Sequence, residues 1–81
     1  MPKLAHLVAR LPDRELAIHR LYATDPEFRA LCDDYEVAVS ALLHWQAPER
    51  TDEAKAEDFL RLAAEIETDV VALLETARGG H

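Results

Sequence analysis

The sequence predicts an all-α fold. An antiparallel helical hairpin, about 26–46 and 51–78, packs with one or two short N-terminal helices into a small three- to four-helix bundle. Three observations predict it. Apolar residues recur at alternating steps of three and four through both long segments. Prolines at 2, 12, 26 and 48 punctuate the first part of the chain, and the two glycines sit together near the C-terminal end. Alanine, leucine, glutamate and arginine dominate between these punctuation marks, a helix-forming composition. No strand pattern, internal repeat or low-complexity segment competes. The 81 residues suit a single helical domain, 1–81, near the small end of what folds alone.

The N-terminal segment carries Leu4, Leu7, Leu11, Ile18 and Leu21 or Tyr22, which stay in phase across Pro12 if one helix runs through. Proline disfavours helical geometry at the residue before it, so a break at Pro12 is expected ahead of a kink. The first hairpin helix starts at "TDPEF": Thr24 or Asp25 can cap, Pro26 suits the first position, and Glu27 favours the positive end of the dipole.

Along this helix Phe28, Leu31, Tyr35, Ala38, Leu42 and Trp45 form a seam, flanked by Cys32, Val39 and Leu43. Ala30, Val37 and Ala41 make a second stripe of small residues on nearly the opposite side, and Arg29, Asp33, Glu36 and Ser40 share a polar wedge. A helix apolar on two sides calls for neighbours on both.

Pro48 limits the first hairpin helix to about Gln46, and the short loop 47–50 forces an antiparallel return. Thr51 or Asp52 can cap the second helix. Its seam is Phe59, Ala63, Ile66, Val70, Leu73 and Ala77, widened by Leu60, Ala64, Val71 and Leu74. Gly79, free to turn left-handed, is expected to stop it. Glu67 falls inside this apolar half. It must reach water or a cation, with Arg14 or Arg20 the expected partner.

Composition narrows the function classes. Sixteen acids against nine Lys and Arg give a formal charge of −7. Without a basic run the chain has no means of displacing counterions from phosphates, and an anionic membrane would repel it, so neither nucleic acid nor membrane is an expected partner. A DNA-mimicking role needs acids spaced along one face, and here they are spread around every helix. No run is apolar enough for a signal segment or a membrane span, and the lone cysteine cannot form an intrachain disulfide. A cytoplasmic protein is expected.

Catalytic motifs are missing too. The sequence supports no Ser–His–Asp arrangement, has no glycine-rich phosphate loop, and shows no HExxH or Cys–Cys metal pair. The run "DPEFRALCDDYE" looks like a ligand cluster, but consecutive helical residues point about 100° apart, so Cys32, Asp33 and Asp34 cannot converge. Nearby acids should raise the Cys32 pKa, which disfavours a reactive thiol. Glu15 and His19 share a helix face and form either a surface pair or, with an acid from another helix, a metal or small-ligand site.

The run "IHRLYATDPEFRALCDDYEVAVSALLHW" resembles the core of the YdcH-like family of small bacterial proteins, through Phe28, Leu31 and Tyr35 preceded by His19. "LRLAAEIETDVVALL" is similar to that family's second helix. The resemblance covers about 18–46 and 59–74, and it implies a helical hairpin with no activity, cofactor or catalytic residue to carry over. The chain departs from the family in its N-terminal extension with "LPDRE", its alanine-rich hairpin, and its few second-helix lysines.

The expected function is therefore not enzymatic, with no cofactor and no catalytic or metal residues assigned. It is interaction with an unknown protein partner, or a homodimer, through an apolar helix face. Ala30, Val37, Ala41 and Trp45 are the candidate surface.

Overall fold

A computed structural model describes residues 4–49 and 51–79. Among the described residues four α-helices follow one another: α1 (Ala5–Arg10), α2 (Glu15–Thr24), α3 (Pro26–Gln46) and α4 (Glu53–Gly79), with a 3₁₀ turn at Pro12–Arg14 between the first two. The chain is an all-α bundle, as its periodicity predicts. Pro12 breaks the N-terminal helix. Leu11 swings out to φ −128°, ψ 62°, and Pro12 opens the 3₁₀ turn where its missing N–H costs nothing.

The hairpin helices start where side chains can cap them. Asp25 is extended, and its Oδ1 accepts from the N–H groups of Glu27 (2.9 Å) and Phe28 (3.3 Å), with Pro26 at the first helical position. Asp52 does the same for α4, accepting from the Lys55 N–H at 3.1 Å. Gly79, expected to turn left-handed, is the last described residue of α4 and is itself helical; the residues that follow it lie outside those described.

α3 and α4 pack along most of their length as an antiparallel pair, and the body measures 48 × 24 × 22 Å. Phe28, Tyr35 and Ala38 from α3 meet Ala63, Ile66, Val70 and Leu74 from α4. Leu4, Leu7 and Ile18 close this core from the N-terminal side. The buried set stops at Ala38 and Ala63; toward the loop Leu42, Trp45 and Phe59 are only half-buried. There the hairpin is two helices thick, and neither helix can cover the other completely. Leu60 and Ala64, expected to widen the buried face of α4, are exposed because α1 and α2 do not reach that far.

Candidate interaction face

Two sides of α3 have opposite fates. The wedge of Arg29, Asp33 and Glu36 receives the N-terminal helices. α1 begins at Leu4, an apolar cap residue whose side chain accepts nothing, so its first N–H groups need a partner from elsewhere. Glu36 is that partner. Its Oε2 accepts from the Leu7 N–H at 3.0 Å, and its Oε1 accepts from the His6 N–H at 3.4 Å. The His6 ring Nδ1 lies 2.7 Å from the same Oε1. A carboxylate thus sits at the positive end of α1.

At the other end of the segment, Arg29 donates from Nε to the Tyr22 carbonyl (3.0 Å) and from Nη2 to the Ala23 carbonyl (3.4 Å). This places a cation at the negative end of α2. Tyr22 donates its hydroxyl to Asp33 Oδ1 at 2.9 Å, a bond that raises the phenol pKa. Behind these contacts Cys32 is fully buried. Burial first, then the charges of Asp33 and Glu36, push its thiol up to about 12.

Glu67 finds a cation, but not Arg14 or Arg20. Arg10 Nε donates to Glu67 Oε1 at 2.8 Å, and the Tyr35 hydroxyl donates to the same oxygen at 3.3 Å. The break at Pro12 explains the exchange. It leaves Arg10 in the last turn of α1, over Glu67, and carries Arg14 farther along α4 to pair with Glu75. Burial, then the Glu67 charge and its hydrogen bond, raise the Tyr35 pKa; the Glu67 hydrogen bond and charge raise that of Arg10.

The opposite side of α3 is largely open among the described residues. Ala30 is exposed, Val37 is 68% exposed, and Ala41 is half-buried. Trp45, also half-buried, ends this surface. The Lys55 ammonium lies 4.3 Å above the centre of its ring, and the His44 ring meets it edge-on at 4.9 Å. On this side an open groove of about 470 Å³ runs between α3 and α4, lined by Glu27, Ala30, Leu31 and Asp34 from α3 and by Asp69, Ala72 and Leu73 from α4. Leu31 and Leu73 are half-buried in it, while Ala30 and Ala72 are exposed. Among the described residues, the Glu27, Asp34 and Asp69 side chains form no ion pair with any cation.

A second groove, between the α2 region and the end of α4, is lined by Leu16, Ala17, Leu21, Leu74 and Ala77 together with Asp13, Arg14 and Arg20. Leu16 is 65% exposed there.

Glu15 and His19 form an exposed surface pair, Oε2 to Nε2 3.7 Å. Among the described residues no group of three or more His, Cys, Asp or Glu side chains could hold a metal ion. No helix among them is long and apolar enough to cross a membrane. Sequence reasoning missed the role of Glu36 and the choice of Arg10. The apolar cap position at Leu4 was the available signal for the first, since a helix that starts without Ser, Thr, Asp or Asn must borrow a cap. No protein-family model, no curated protein and no solved structure matches the chain. The likeness to YdcH-like hairpins therefore rests on the quoted residues alone.

Proposed function

We propose that the protein is a non-enzymatic, cytoplasmic interaction module that offers the open side of its hairpin, Ala30, Val37 and Ala41 with Trp45 at its end, to a helix of a second chain. The observation that carries this reading is the exposure of Val37, 68%, at the centre of that stripe, while the far side of the same helix is closed by α1 and α2. A β-branched apolar side chain in open water gives up burial that a docked helix would supply. Small neighbours at Ala30 and Ala41 let a helix come within the usual 8–10 Å axis distance.

Light scattering coupled to gel filtration, together with quantitative affinity capture, tests the proposal. Val37→Glu should abolish either a dimer or a specific captured protein while leaving the helical circular dichroism unchanged. A protein that is monomeric at every concentration and captures the same proteins with and without Val37→Glu would contradict it.

A further inference from the structure

The acids that line the groove specify what can lie in it. We propose that its occupant is an amphipathic helix of another protein, with apolar residues toward Leu31 and Leu73 and Lys or Arg within reach of Glu27, Asp34 and Asp69, and not a second copy of this chain. The proposal rests on the interaction reading above and narrows it.

Several acids elsewhere on the chain are already matched. Glu36, Glu67 and Glu75 pair with His6, Arg10 and Arg14, and Glu57 and Asp58 both reach Arg61. Among the described residues Glu27, Asp34 and Asp69 are not, nor are Asp13, Glu49, Glu53 and Glu65, but Glu27, Asp34 and Asp69 come together from two helices in one groove with Leu31 and Leu73. Glu27 and Asp34 are seven residues apart on α3, about 10.5 Å or two turns, so basic residues two turns apart on an aligned helix would meet both. Asp69 lines the groove from α4.

A second copy presenting this same face would bring six unpaired carboxylates together, with a net charge of −7 on each chain, an arrangement that disfavours self-association through this surface. The same net charge draws a basic segment toward the protein before contact.

The test uses the 81-residue chain and three synthetic 20-residue helical peptides. All share an Ala/Leu stripe, with Lys, Gln or Glu at the flanking positions. Binding is read by fluorescence anisotropy and by amide shifts at Ala30, Asp34, Asp69 and Ala72. The Lys peptide should bind and move those amides, the Glu peptide should not bind, and the Gln peptide should bind more weakly. The double variant Asp34→Asn, Asp69→Asn should weaken the Lys peptide about three- to tenfold, the effect of losing two exposed ion pairs. The control Asp13→Asn, Glu15→Gln, which removes the same charge from the N-terminal side, should leave its affinity unchanged.

Equal binding of the Lys and Gln peptides, or equal losses in the two double variants, would overturn the charge assignment while leaving a helix-binding face in place. A dimer abolished by Val37→Glu would overturn the choice of occupant and keep self-association. Peptides that bind without moving the groove amides, or do not bind at all, would remove this inference; if the capture experiment above also fails, the broader reading goes with it.

Discussion

The two sides of α3 differ in what they offer a short helix. On the side that α1 and α2 approach, Phe28 and Cys32 are buried and Arg29, Asp33 and Glu36 form a polar rim that bonds to the arriving segment, while the side left to solvent carries Ala30, Val37 and Ala41. The ends of the short helices account for the difference. α1 and α2 are 6 and 10 residues long, so a large share of their backbone groups are unsatisfied terminal N–H and C=O groups. The wedge supplies a carboxylate for the start of one and a guanidinium for the end of the other. The alanine stripe has nothing to offer a helix end. Short helices dock where their termini are satisfied, and the apolar residues Leu7 and Ile18 then bury beneath them.

The contrast predicts a steep asymmetry under mutation. Phe28→Ala, under the N-terminal helices, should cost about 3–5 kcal/mol, and Ile18→Ala about 2–5 kcal/mol, read by urea or thermal unfolding. For a small domain either loss approaches its whole stability. A loss below about 1 kcal/mol at Ile18 would mean that α2 does not close the covered side.

Alkaline pH should weaken the same side. Cys32, Tyr22 and Tyr35 all have folded pKa values above their ordinary ones, so the unfolded chain gives up these protons first. Their contribution is fully present below about pH 9, where the unfolded thiol is still protonated, and is lost as pH rises toward 12. Stability measured from pH 8 to 11 should therefore fall continuously above 9; a flat profile would contradict the burial of Cys32.

Glu36→Ala removes the borrowed cap and should cost about 1–2 kcal/mol, with faster amide exchange at His6 and Leu7 as the local signature. Tyr35→Phe loses one hydrogen bond to Glu67 and should cost about 0.5–1.5 kcal/mol. Val37→Ala, on the open side, should change stability by no more than about 0.5 kcal/mol. A larger cost there would show that the stripe is packed in the free protein.

Much of this architecture was legible in the residues. The period of the apolar positions placed α3 and α4, and Pro26, Pro48, Asp25 and Asp52 marked their ends, because helix starts obey local chemistry. Proline geometry at Leu11 located the break. The spacing also put Ala30, Val37 and Ala41 on one line, of which Ala30 and Val37 are exposed and Ala41 is half-buried. What spacing could not supply was the choice of side, since the match between Leu4 and Glu36 joins residues about thirty positions apart. The partner of Glu67 was out of reach for the same reason. Arg10, Arg14 and Arg20 all lie on the segment that covers α4, and only the turn at Pro12 decides which one arrives.

The covered and open sides can be compared most directly by thiol reactivity. The rate at which a small disulfide reagent modifies native Cys32 is measured against the rate for Val37→Cys in a Cys32→Ala background. Modification at position 37 close to that of a free thiol is expected, with Cys32 slower by at least about 1,000-fold because it reacts only when the N-terminal helices open. Comparable rates at the two positions, or faster modification of Cys32, would contradict a fold in which α1 and α2 close over Cys32 and leave the apolar stripe free.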